Sequence, residues 1–575
     1  MKASDYIARA LADEGVRFVF ELTGGMITHL LDSLACEDRI RIVSCHHEQS
    51  AAFAAEGVAR LTGVPGVALA TSGPGATNLL TGIGSCYFDS VPAVFITGQV
   101  NTTELRPRQD MRQSGFQEAD IVAIASPLTK AAWQVVDAGE IPAALERAFA
   151  IACAGRPGPV LIDLPMDVQR AEISPPVRAG TDESRSTSED RPPLAASVVS
   201  KALDIIASAT RPLILAGGGV RAAGAAELLR SFSSVTGMPV VTSLMGLDVL
   251  PYDRLRRVGM IGSYGNRWAN LVLGRSDTLL VLGSRLDVRQ TGSDVAAFAA
   301  GKKIVRVDVD PAELDARPLD AFTVQWDVGE FLKAALSAVD GTRGGRGLAE
   351  WAREIAGLRA QWPDTDEYGS VDGINPARFI HQLSQASESA CAYVVDVGQN
   401  QMWAAQSLEL GDGQRFLTSG GMGAMGFALP AAIGAALAGG SRPVVAISGD
   451  GGAQINIQEL ETIARLKLPI KLVVLNNGCL GMVRQFQDDY FESRHQSTVA
   501  GYGAPDFVAL AEAFDIAALT MCEESETAGA LEWLWADETR PALLEVQLSQ
   551  RSCVSPKVAF GNPVHKMSPR ADQMR

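Results

Sequence analysis

The triplet Gly449-Asp450-Gly451 closes an apolar run, Pro443–Ser448, and precedes a helical pattern over Ile455–Leu466. A second apolar run, Lys471–Leu475, follows and delivers Asn476-Asn477. This spacing predicts a strand, turn, helix and strand, with oxygen ligands at the ends of both strands. Strands joined through a helix pair in parallel, and parallel sheets are covered on both faces. A lone Asp-Gly pair is only a turn signal. Here the aspartate is matched by Asn477, and glycines beside it let backbone N–H groups approach an anion at a helix start. Mg²⁺ takes hard oxygens, with one or two from protein and the rest from phosphate and water. The unit therefore reads as a clamp for magnesium and a diphosphate.

The rest of the chain repeats the αβ rhythm in blocks. The first runs to about residue 172, with strands expected at Val16–Phe20, Ile40–Ser44, Val67–Thr71, Ala93–Thr97 and Val160–Ile162. A polar linker, Ser174–Pro193, separates it from a second block at about 195–338. That block has strands expected at Pro212–Ala216, Val240–Thr242, Thr278–Leu282 and Ile304–Val309. A glycine-rich linker, Asp340–Gly347, leads to the third block, about 372–548, which holds the clamp. Strands alternating with helices imply parallel sheets. Ser549–Arg575 has little periodicity and suits a lid or an unstructured tail. Gly423–Gly440 reads as a buried Ala/Gly-rich helix.

Composition narrows the function. A length of 575 residues predicts about three or four domains. The net charge of −16 disfavours nucleic acid and leaves phosphates to backbone amides, metal and single arginines. The eight cysteines show no CxxC spacing and read as reduced thiols of a cytoplasmic protein. Met1–Gly15 carries charges where a signal sequence would be apolar, and no stretch is long and apolar enough to span a membrane.

Further motifs accompany the clamp in a definite order: His47-Glu48-Gln49, Ser72-Gly-Pro-Gly-Ala-Thr-Asn78, Phe116-Gln-Glu118, Gly155-Arg-Pro-Gly-Pro159, Gly398-Gln-Asn-Gln-Met402 and Ser419-Gly-Gly-Met-Gly-Ala-Met425. Together they resemble the thiamine-diphosphate (ThDP) enzymes, and among them the acetolactate synthase group. The resemblance implies three doubly wound α/β domains: a pyrimidine-binding domain over 1–173, a central FAD-type domain over 194–340 and a diphosphate-binding domain over 365–550, with a tail at 551–575. It also implies a homodimer or homotetramer that decarboxylates pyruvate and transfers the two-carbon unit to a carbonyl acceptor. Nothing in the sequence identifies a regulatory subunit.

By the same resemblance Glu48 shares a proton with the cofactor's pyrimidine. A carboxylate opening a helix is also favoured by the helix dipole, by up to about 1 kcal/mol. Gly25, Phe116, Gln117 and Met425 join Glu48 at the reacting centre, with Met425 as the wedge that bends the cofactor. Pro74 and Asn78 lie by the pyrimidine. Gly398, Gln399, Asn400 and Met402 resemble a second cofactor loop, and Gly423 binds the cofactor from the Ser419–Met425 motif; the group commonly has histidine at Asn400, and asparagine can still donate to a phosphate. Gly451, Gly452, Leu480, Gly481 and Met482 complete the clamp, whose metal ligands are Asp450, Asn477 and Cys479.

In the second block Gly217-Gly218-Gly219 lacks a full GxGxxG, because the next glycine is Gly224. Alone it reads as a tight turn. The resemblance adds Arg156, Ser243, Leu244, Met245, Met260, Gly283, Ser284, Arg285, Asp287, Arg289, Asp308, Val309 and Asp327 as FAD-binding residues, for a flavin without net electron transfer.

Two positions depart from the group. Met166 follows Asp163-Leu-Pro where lysine is usual, and Phe486 stands where a tryptophan helps select the second ketoacid. Arg289, which would meet a ketoacid carboxylate, is kept. The stretch Arg106–Gly115 is longer than usual and carries Arg106, Arg108 and Arg112. The acceptor is then either a second ketoacid, giving acetolactate, or a ketone, aldehyde or keto-sugar.

Overall fold

The computed structural model describes residues 1–108, 110–174, 194–252, 256–317, 319–339, 347–368 and 373–569. Nearly all of the first linker, most of the second and the end of the tail lie outside the described residues. The described chain forms three six-stranded sheets. The first contains β1 (Phe18–Leu22), β2 (Arg41–Ser44), β3 (Gly66–Ala70), β4 (Ala93–Gln99), β5 (Ala131–Gln134) and β6 (Pro159–Pro165). The second contains β7 (Pro212–Ala216), β8 (Val240–Thr242), β9 (Arg257–Met260), β10 (Thr278–Leu282), β11 (Lys303–Asp308) and β12 (Ala321–Gln325). The third contains β13 (Ala392–Val395), β14 (Arg415–Thr418), β15 (Val444–Gly449), β16 (Ile470–Asn476), β17 (Ala517–Met521) and β18 (Ala542–Gln547).

All pairings in these sheets are parallel. The orders are β2-β1-β3-β4-β6-β5, β12-β11-β10-β7-β8-β9 and β14-β13-β15-β16-β18-β17. The outer two sheets share one topology, and the central one has the order of a dinucleotide-binding fold. In each order the chain reverses direction across one pair: β1/β3, β7/β10 and β13/β15. Crevices for ligands open at the carboxyl ends of such pairs. They fall at Gly24–Gly25 and Ser72, at Gly217 and Gly283, and at Asp396 and Asp450.

Several expected bounds shift for local reasons. The strand expected at Val16 begins at Phe18, because Val16 N–H still closes the preceding helix onto Leu11 O (3.1 Å). The helix expected over Ile455–Leu466 is two helices, Asp450–Ile455 and Glu459–Leu466. Asn456 breaks them apart: its Nδ2 donates to Gly426 O (2.8 Å) and its Oδ1 accepts from the Ser50 hydroxyl (3.2 Å). The tail forms a short antiparallel ribbon, Lys557–Val558 with Met567–Ser568. Val558 N–H binds Ser263 O (2.8 Å), which fixes the ribbon to the central domain.

The first and third domains are joined through two buried helices, Glu48–Thr62 and Ala428–Ala438. Small residues let them touch backbone to backbone. A Cβ on Gly57 would lie 2.2 Å from Ala431 O, and one on Gly434 1.9 Å from Ala54 O. Phe53 and Phe427 meet edge to face at 5.4 Å, a contact worth about 0.5–1.5 kcal/mol beyond its buried area. Among the described residues no helix is long and apolar enough to cross a membrane.

The third domain carries a pH-sensitive brace. His381 Nε2 lies 2.9 Å from Asp364 Oδ2 and its Nδ1 lies 2.8 Å from Glu409 Oε1. Burial pushes the imidazole down, and the two carboxylates overcome it, leaving the pKa above its usual 6.5. A raised folded pKa contributes stability that is complete below the unfolded value and fades as pH rises through the folded one. The thermal midpoint of the wild type should therefore exceed that of His381→Gln at pH 6, and the gap should narrow toward pH 9. A gap that widens with pH would contradict this brace.

Candidate active site and cofactor clefts

Asp450 follows β15 directly and opens the Asp450–Ile455 helix. It is 2% exposed. Tyr502 Oη donates to Asp450 Oδ2 at 2.7 Å. Burial pushes the carboxyl up, and hydrogen bonds from Tyr502 and from the N–H groups of Asn477 and Gly451 act the other way. Asn477, beyond β16, donates through Nδ2 to Gln399 Oε1 (2.9 Å). Gln399 in turn donates to Gln485 Oε1 and Ser552 O. Around this group the glycines are required by space. A Cβ on Gly481 would fall 2.0 Å from Gln399 Oε1, one on Gly452 2.6 Å from Asp396 Oδ1, and one on Gly451 2.6 Å from Leu480 and 3.2 Å from Met425.

Most of the expected clamp residues thus gather at the β13/β15 crevice. Some sit differently from expectation. Asn400 turns Nδ2 onto Asp396 O (2.8 Å), which takes up one of its two N–H groups. Met402 lines the central cleft. The Cys479 thiol, with burial pushing its pKa to about 11, donates to Asn477 Oδ1 at 3.3 Å. A protonated soft thiol does not suit Mg²⁺. Gly398 and Gly423 take positive φ, +149° and +67°, in the loops that flank the group. Met482 packs on the core behind it.

Two residues here were not foreseen. Asp396 accepts from the N–H groups of Val397, Gly426 and Ala428, and burial raises its pKa to about 6. It ties the Met425 loop to β13, and its only sequence signal was an aspartate ending an apolar run. Tyr502 lies in a polar loop between glycines, with no signal at all.

Glu48 opens its helix in the first domain and is 5% exposed. Asn78 Nδ2 donates to its Oε2 at 2.9 Å. Gly75, in the turn begun by Pro74, lies so close that a Cβ would stand 3.0 Å from Glu48 Oε1. Gln117, at φ +65°, presses its carbonyl against Gly73 of the same turn. Gly25 has open space where a side chain would be. Phe116 is 79% exposed on the surface of the single chain.

The central cleft encloses about 1300 Å³, its open mouth included. It is lined by Arg156, Gly218, Gly219, Ser243, Leu244, Met245 and Met260, and by Gly283, Ser284, Arg285, Asp287, Arg289, Asp308, Val309 and Asp327. Gly217 lies beneath, since a Cβ there would meet Gly283 O at 2.1 Å. Arg156 is engaged by Asp310 (3.0 Å) and Glu313 (2.8 Å). The cleft sits at the β7/β10 crevice, where this strand order binds dinucleotides.

The expected acceptor residues are spread more widely. Met166 begins the helix after β6. Phe486 is 52% exposed on the Gly481–Tyr490 helix and its ring lies tilted against Tyr490, with centroids 4.7 Å apart. Arg289 lines the central cleft beside Tyr264.

The chain matches the thiamine pyrophosphate enzymes in each of their parts: the N-terminal TPP binding domain over residues 1–124, the central domain over 199–335 and the C-terminal TPP binding domain over 396–546. The acetolactate synthase large subunit of Corynebacterium glutamicum is 38% identical over 570 residues, 98% of this chain and 89% of that one. The acetolactate synthase isozyme 2 large subunit of Escherichia coli is 36% identical over 561 residues, 98% of both chains. Acetolactate synthase 2, chloroplastic, of Nicotiana tabacum is 37% identical over 573 residues, 97% of this chain and 84% of that one. Likeness of this extent, with the domains in the same order, means that the chain is a thiamine-pyrophosphate-dependent enzyme belonging to the acetolactate synthase family.

Proposed function

We propose that the enzyme decarboxylates pyruvate and transfers the two-carbon unit to a carbonyl acceptor, with ThDP, Mg²⁺ and FAD as cofactors. The observation that carries this reading is the hydrogen-bonded group of Asp450, Asn477 and Gln399 at the ends of the third sheet. Among the described residues no three His, Cys, Asp or Glu side chains cluster for a metal. One carboxylate beside one amide oxygen fits Mg²⁺, whose remaining positions go to phosphate and water. Asp450 and Asn477 would hold the ion by side-chain oxygens, and Cys479 would offer its main-chain carbonyl. When bound, ThDP supplies the electron sink for decarboxylation. Glu48 would exchange a proton with the cofactor's pyrimidine, Met425 crowds the space above Gly451, and the glycines admit a diphosphate. The Gly217–Gly219 turn and Gly283 leave backbone-lined room for the flavin.

We place the cofactor between two chains in the cytoplasm, Glu48 of one facing Asp450 of the other. The exposure of Phe116 and the rigid seam between first and third domains support a site built across subunits. Co-expressing Glu48→Gln with Asp450→Ala chains tests it. Random mixing makes half the dimers mixed, each with one of two sites intact, so about a quarter of wild-type activity should return. No recovery despite proven subunit exchange would place each site within one chain.

Acetolactate formation is the preferred reaction, supported by Arg289. Met166 and Phe486 favour a second reading, an uncharged ketone, aldehyde or keto-sugar acceptor. Mass spectrometry of products from pyruvate with a panel of such acceptors decides between them. Phe486→Trp should move the product ratio toward the ketoacid, because indole fills space that phenyl leaves open and one methylene of fit is worth about 1–3 kcal/mol. A ratio constant within about twofold, roughly 0.4 kcal/mol, would remove Phe486 from the acceptor pocket.

A further inference from the structure

The Ser419–Met425 loop is anchored from outside its own domain. Asp89, in the first domain, accepts from Gly420 N–H (2.9 Å) through Oδ2 and from Gly421 N–H (2.7 Å) through Oδ1. Its side chain is 1% exposed, and Arg60 Nη2 balances its charge at 2.8 Å. Arg60 is gripped in turn by the wholly buried Glu56, through Nε at 2.8 Å and Nη2 at 2.6 Å. The anchor is therefore rigid.

Asp89 also lines the central cleft, and so do Gly420 and Met245. Met245 Sδ lies against Gly420, where a Cβ would come within 2.3 Å of it. One face of Gly420 thus meets the cleft through Met245, and its N–H is held by Asp89. At the far end of the same loop, Met425 leans over Gly451 beside the clamp.

We infer that Asp89 is a positioning residue that holds this loop in register with the central cleft, so that a nucleotide in the cleft and ThDP beside Met425 bind in linkage. This rests on the flavin reading above. A filled cleft fixes Met245 over Gly420, and Asp89 keeps the loop from yielding. Met425 is then already placed when ThDP arrives, and less ordering remains to be done on binding.

The test uses the full chain stripped of cofactors. ThDP is titrated with Mg²⁺ by tryptophan fluorescence, with and without saturating FAD. In the wild type FAD should tighten ThDP binding about fivefold or more, the low end of coupling between linked sites. In Asp89→Asn, which loses a charged acceptor at equal size, that ratio should fall below about twofold while each cofactor still binds. A merely structural role would weaken both affinities and leave the ratio unchanged. Should Asp89→Asn fail to fold, Met245→Ala removes the contact on the cleft side and should lower the ratio likewise. A wild type that binds no FAD overturns the flavin reading and the linkage with it. A wild type that binds FAD with no effect on ThDP overturns the linkage alone. An unchanged ratio in the folded variants overturns the route through Asp89.

Discussion

Glu48→Gln should reduce carboligation to less than a tenth of wild type while leaving ThDP and Mg²⁺ binding intact. The substitution preserves shape, and Asn78 can still donate to the remaining oxygen from 2.9 Å. What disappears is the exchangeable proton. General acid–base groups typically contribute about 10²–10⁴-fold, so the expected loss lies in that range. Cofactor affinity should hold, because on the proposed reading the metal and diphosphate would meet Asp450, Asn477 and the glycines of the third domain. Turnover with pyruvate, measured beside a ThDP titration, separates the two effects. Activity above a tenth of wild type would end the role given to Glu48.

Asp450→Ala should act in the opposite way, through affinity. It removes one of about two side-chain oxygens available to Mg²⁺. It also leaves Tyr502 Oη and the Asn477 N–H without their shared acceptor in a buried site. Changes that only touch a ligand's partners cost about 10–100-fold in metal affinity, and loss of the ligand should cost at least as much. The Mg²⁺ and ThDP concentrations needed for half-maximal activity should rise accordingly. Asp450→Asn, which keeps an oxygen but loses the charge, should fall between. Unchanged requirements in both variants would move the metal elsewhere.

The parts legible in the sequence were those marked by buried apolar runs and by glycines with no spare room. β3, β4, β7, β8, β10 and β15 announce themselves because a strand buried on both faces reads as an uninterrupted apolar run. The strands not foreseen are β5, β9, β12, β13, β14, β17 and β18, and all but β13 and β18 lie at sheet edges. Of these, β5, β12 and β17 are half-exposed and mix polar with apolar residues. The glycine-lined clefts were legible because Gly217, Gly283, Gly451, Gly452 and Gly481 must let other groups pass. Asp396, Tyr502 and Asp89 were not, since each works through backbone N–H groups or a carboxylate far away in sequence. Asn400 gives one of its two amide N–H groups to Asp396 O, a bond its sequence neighbours do not announce.

The seam at Gly57 and Gly434 bears on how substrates are admitted. Two helices whose backbones already touch cannot slide or part without breaking the packing between domains. The halves of one chain therefore cannot work as jaws that shut on a ligand. A closure during turnover would have to come from pieces outside the seam, such as the tail ribbon tied to the Gly481–Tyr490 helix through Lys557 and Asp489. Variants that change how fast substrates come and go should cluster in those pieces. Variants at the seam should change whether the protein assembles at all.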